Sequence, residues 1–233
     1  MRQVGQAAGL QEAEAAAFFR AAAADLAAGR DQAIALRREL SFEDIPAPRR
    51  LAPHAAALAV AVRPGQMDPA APAAAGPAAD ADPEPAAGRF VLLYDPAGQP
   101  GWRGPLRVVV YIRADLDPEI AADPLLGQVG WSWLTEALDA RTAGYEAISG
   151  TVTRVVTEGF GGKAGEQPLT GFELRASWSP VIPEPRVPAE AAAGPGLAGH
   201  VAAWCETLCA ASGLPPLAAG VAAFPSPAAR RRA

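Results

Sequence analysis

Residues 89–113, RFVLLYDPAGQPGWRGPLRVVVYIR, carry the two firmest strand signals of the chain on either side of a turn. Arg89–Tyr94 and Leu106–Arg113 are rich in β-branched and aromatic residues, and Asp95-Pro96-Ala97-Gly98 favours chain reversal. The segment therefore reads as an antiparallel hairpin with a long connection. In its second strand Leu106, Val108, Val110 and Ile112 share one face, with Arg107, Val109, Tyr111 and Arg113 on the other. Val109 and Tyr111 predict that this second face is partly covered too.

Downstream, Asp123-Pro124 supplies a helix cap and a first-turn proline. The helix it starts runs to about Thr142, with Leu126, Val129, Trp133 and Ala137 as its apolar stripe. Strands follow near 150–158 and 170–179; in the latter Phe172, Leu174, Ala176 and Trp178 point one way and Glu173, Arg175 and Ser177 the other. Leu197–Ser212 reads as a final helix with Leu197, Val201, Trp204 and Leu208 as its stripe. Upstream, Glu12–Ala28 is helix-forming, Gly29 offers a stop, residues 30–50 are ambiguous, and His54–Val62 reads as a strand. The implied fold class is α+β: a curved, mostly antiparallel sheet of about five strands packed with helices, in the order αβββαββα.

Composition limits the size of the core. Of 233 residues 57 are alanine, and alanine, glycine and proline together number 104, so nearly half the chain has little side chain to pack. A single domain over 1–220 is expected. An Ala/Pro-rich stretch at 64–88 and a Pro-rich connection at 179–196 interrupt it, and 221–233 form a tail. These three stretches are expected to be disordered or loose. The net charge of −5, with 19 arginines and one lysine, argues against nucleic-acid binding. The longest uncharged run, Thr207–Ala229, contains four prolines and does not read as a membrane helix. Glu12 and Glu14 interrupt any secretory signal, so the expected location is cytoplasmic.

Several runs together resemble an actinobacterial family catalogued as domain of unknown function 3000. They are FEDIPAPRRLAPHA (42–55), residues 88–140, SGTVTRVVTEGFGG (149–162), ELRASWSPV (173–181) and WCETLCAASGLPPL (204–217). The resemblance implies an uncharacterised cytoplasmic protein and supplies no catalytic residue. Separately, the element order is similar to that of type III secretion chaperones, in which a sheet packed with helices binds a partner peptide or dimerises.

No catalytic constellation emerges from the residues. Gly159-Phe160-Gly161-Gly162-Lys163 lacks phosphate-loop spacing and reads as a turn whose Phe160 packs back onto the core. Cys205 and Cys209 lie four apart, and with His200 they do not share one helix face, so neither metal nor cofactor is expected. Trp131 and Trp133 diverge around their helix. Trp133 is assigned to the core with Trp178 and Trp204, leaving Trp131, Trp102, Glu136, Arg154 and Arg175 as the candidate binding surface. Two function classes follow. The first is a non-enzymatic interaction, adaptor or chaperone-like domain that binds a protein or peptide partner or a second copy. The alternative is an unrecognised hydrolase or small-ligand-binding protein that uses Glu136, Arg154 or Arg175 in a site in the sheet–helix cleft.

Overall fold

A computed structural model describes residues 2–63, 85–165, 168–182 and 195–216. The stretches expected to be loose therefore lie largely outside the described residues. The boundary at 88 moves, however: a strand begins at Ala86, which is fully buried.

The chain runs through α1 (Arg2–Leu36), β1 (Leu40–Asp44), β2 (His54–Val62), β3 (Ala86–Tyr94), β4 (Leu106–Asp115) and α2 (Pro118–Ala122). It continues through α3 (Leu126–Arg141), β5 (Tyr145–Thr157), β6 (Leu169–Pro180) and α4 (Ala198–Ala211). The strands form one antiparallel sheet in the order β1-β2-β3-β4-β6-β5. The α+β class stands, and the finer description is corrected. The sheet has six strands, not about five, and it is not curved. The element order also gains β1 and α2, which removes the string on which the likeness to secretion chaperones rested.

Strand alternation decides which face is covered. Leu58, Val60, Phe90, Leu92, Val108, Val110, Ile112, Phe172, Leu174 and Trp178 all project to one side and are buried there. Onto this side pack α1, α4 and α3, with α4 in the middle touching both other helices and strands β3 and β4. Nine residues of α4 are buried, including Leu197's neighbours Val201, Trp204 and Leu208.

Close approach explains two glycines. A Cβ on Gly29 would sit 2.9 Å from the Ala198 carbonyl oxygen and the Val201 side chain. Gly29 therefore does not stop α1; it lets α1 and α4 touch, and the helix continues to Leu36. A Cβ on Gly88 would likewise lie 2.9 Å from the Trp204 ring, which rests on β3 at that point. From α1, Asp25 reaches the start of α4, where Oδ2 accepts the backbone N–H groups of Gly196 (2.7 Å) and Leu197 (3.0 Å). The last helix is thus capped by the first.

The covered side also holds a buried polar pair. Trp178 Nε1 donates to His200 Nδ1 at 3.1 Å, and burial lowers the His200 pKa to about 4. The folded chain refuses a proton that the unfolded chain takes up below about pH 6.5. Stability should therefore be complete above that pH and fall between pH 6.5 and 4, by about 3 kcal/mol in all. Denaturant melts at pH 7.5 and 4.5 check this. His200→Gln, which lacks the titrating ring, should show a distinctly shallower decline; an unchanged pH slope would remove His200 as the cause.

Candidate binding face

The opposite side of the sheet carries no helix among the described residues. The register sets its side chains in rows. One row runs Glu43, Ala59, Arg89, Tyr111, Arg175, Thr151 across all six strands. The next runs Ser41, Ala61, Ala87, Arg113, Glu173, Thr153, and Ala57, Val91 and Val109 lie on the other flank of the first. Small residues on β2 and β3 thus lie below the longer side chains of β4 and β6. The result is a depression of about 870 Å³ with an Ala/Val floor and Arg63, Arg89, Arg113 and Arg175 around it.

Two kinds of arginine stand here. Arg175 is engaged: its Nη2 lies 2.8 Å from Glu173 Oε2, and its guanidinium sits 5.1 Å from the centroid of the Tyr111 ring. Tyr111 OH donates to Glu173 Oε1 at 3.0 Å, closing a three-residue cluster, and burial and this bond raise the phenol pKa. The side chains of Arg63, Arg89 and Arg113 stand exposed and make no hydrogen bond or ion pair among the described residues.

At the other end of the face Arg107 is buried. Its Nη1 donates to the Ala147 carbonyl (3.0 Å) and its Nη2 to Ser177 Oγ (2.7 Å), and desolvation lowers its pKa. Ala147 has φ of 49° and lies in the bulge between Glu146 and Ser149, so Arg107 fastens an irregular stretch of the edge strand.

Of the residues proposed from sequence as a binding surface, Arg175 alone is on this face. Glu136 is exposed on α3, on the far side of the sheet. Arg154, exposed on β5, turns to the helix side and donates to the Asp123 carbonyl at 3.3 Å. Trp102 is half-buried in the β3–β4 connection, beside a depression lined by Pro96, Gln99, Pro100 and Pro105. Trp131 is half-buried, its ring over Gly150 of β5. Among the residues assigned structural roles, Trp178 and Trp204 are fully buried. Phe160 is not packed back: it is 78% exposed, because the turn around Gly161–Lys163 carries it away from the sheet.

The α3 stripe is also corrected. The buried line is Leu126, Gly130, Leu134, Ala137 and Leu138, while Val129 is exposed and Trp133 sits half-buried at the flank, 5.9 Å from Phe172. Both tryptophans are therefore margin contacts. Trp131→Ala and Trp133→Ala should each cost about 1–3 kcal/mol, against about 3–5 kcal/mol for the fully buried Trp204→Ala. Denaturant melts of the three variants check the ranking; a loss at Trp133 equal to that at Trp204 would restore it to the core.

Sequence reasoning missed Arg63, Arg89, Arg113 and Tyr111 as site residues. The available signal was the alternation of Arg107, Val109, Tyr111 and Arg113 opposite the apolar face of β4. Among the described residues no group of three or more His, Cys, Asp or Glu could hold a metal ion, and no helix is long and apolar enough to cross a membrane.

Comparison with known proteins found no significant match among curated proteins and none among solved structures. One family model matches, described as "Protein of unknown function (DUF3000)", over residues 15–222. That span takes in every strand and all of α2, α3 and α4, and on it the chain belongs to the DUF3000 family.

Proposed function

We propose that this chain is a non-enzymatic interaction domain that holds a segment of a partner protein across the bare face of its sheet. The observation that carries this reading is the asymmetry of the sheet. Three helices cover one side, while the other presents an open depression of about 870 Å³ floored by Ala59, Ala61, Ala87, Val91 and Val109. A solvated sheet face is ordinarily dominated by polar side chains, and a small-residue floor instead leaves room for another chain's side chains. A cytoplasmic setting is part of the reading. Cys205 and Cys209 are unpaired buried thiols, and burial pushes the Cys209 pKa up to about 11, which suits inert core positions in a reducing compartment.

The hydrolase alternative has less to stand on. Of its residues Glu136, Arg154 and Arg175, Arg175 lies on the opposite side of the sheet from the other two, and Arg154 donates to the Asp123 carbonyl. Between the helices the described residues leave a cleft of only about 80 Å³, lined by Leu36, Leu40, Cys205 and Cys209 among others.

The test compares the two sides. Val109→Trp fills the depression from an exposed position and should shift stability by less than about 1 kcal/mol. Proteins captured by the immobilised wild type should be lost from Val109→Trp, by about tenfold or more, and retained by Glu136→Arg on the helix side. Capture lost with Glu136→Arg and kept with Val109→Trp would overturn the reading.

A further inference from the structure

We infer that the segment held on the bare face is acidic and extended, recognised by Arg89 and Arg113; this rests on the interaction reading above. The register makes these two residues diagonal neighbours, since Arg89 pairs with Tyr111 and Arg113 pairs with Ala87. Diagonal positions on adjacent strands lie about 7–8 Å apart. Side chains two residues apart on an extended chain are separated by about 7 Å, so an Asp/Glu-x-Asp/Glu segment can present one carboxylate to each guanidinium.

The surroundings decide the sign and the shape. The Arg63, Arg89 and Arg113 guanidiniums form no ion pair among the described residues, and Glu173, which lies opposite Arg113 in the register, is already held by Arg175 and Tyr111. Among the residues that line the depression the acid is Glu43, two strands from Arg89 on β1. Ala59, Ala61 and Ala87 leave the floor beside the arginines low, which lets a backbone approach closely enough for paired hydrogen bonds to a guanidinium. A nucleic acid is less well matched. The face offers one aromatic ring, Tyr111, and Arg175 already covers it, so no free stacking platform is present among the described residues. The net charge of −5 also opposes a polyanion as long as nucleic acid.

The probe is a ten-residue peptide of alternating Glu and Val, titrated calorimetrically into the full chain, with its Gln/Val counterpart and a ten-nucleotide single-stranded DNA in parallel. The Glu/Val peptide should bind, and its affinity should fall about tenfold or more on Glu→Gln replacement and in the double variant R89S/R113S. It should change less than about twofold in R20S, which removes an exposed arginine from α1 on the helix side. Thermal melts of R89S/R113S matching the wild type show that the loss is not unfolding. Equal affinity for the Gln/Val peptide, with binding still blocked by Val109→Trp, would overturn acidic recognition while leaving the interaction reading intact. No peptide binding together with capture insensitive to Val109→Trp would remove both. DNA binding stronger than peptide binding and lost in R89S/R113S would assign the face to nucleic acid and overturn the inference. So would a dimer in sedimentation that R89S/R113S dissociates, which would assign the face to a second copy.

Discussion

The Trp204 ring packs closely on β3 at Gly88, and much of the covered core is arranged around that contact. Phe90 and Phe42 flank the same ring, at centroid distances of 5.5 and 6.3 Å. Trp204 Nε1 finds no hydrogen-bond partner among the described residues. An unpaired buried donor costs about 1–3 kcal/mol. Burying an indole ring contributes more than that, so the ring stays seated. Because α4 carries this ring and is the last helix of the described chain, the core cannot close until the chain has returned across the sheet. The Asp25 carboxylate and the Arg141–Glu206 pair (2.9 Å) then fix α4 to α1 and α3. Contacts this distant in sequence make for slow closure.

How much of this was legible depends on the kind of signal. A period of two is unforgiving, so the alternation in β4 and β6 gave the correct inward residues, from Val108 to Trp178. The stripe of α4 was equally readable because its large residues all face the same way. The helices with small residues at their contacts were not. Hydrophobic counting prefers Val129 and Trp133 on α3, yet the helix closes on Phe172 through Gly130, which no hydropathy scale rewards. The same blindness made Gly29 a stop when it is a contact. β1 has five residues, and what defines it is pairing with β2, from Leu40–Val62 to Asp44–Leu58, rather than any pattern of its own.

The bare face was half legible. Alternation places Arg89, Arg113 and Arg175 on the sides of their strands opposite the core residues, but only register brings them into adjoining rows. Nothing local says that residue 89 lies opposite 111, or that 111 lies opposite 175. Val109 and Tyr111 looked like signs of a second covering layer. In the fold, Tyr111 is half-buried by Arg175 and its own strand neighbours, and Val109 remains 37% exposed. Glu136 and Arg175 were grouped as one cleft because sequence cannot say that a sheet runs between them.

The way the sheet ends favours its face over its edges as the proposed docking surface. β5 is a thirteen-residue edge strand whose outer side is unpaired among the described residues, the kind of edge on which another strand readily adds. Its first part is spoiled for that purpose by the bulge between Glu146 and Ser149. The bulge is held rather than tolerated. A buried guanidinium without a carboxylate partner among the described residues is costly, and Arg107 offsets that cost by bonding the Ala147 carbonyl and Ser177. The opposite edge, β1, is only five residues long. One edge is thus short and the other interrupted near its start, which leaves the floor between Arg89 and Val109 as the broad, regular surface on which a second chain can lie.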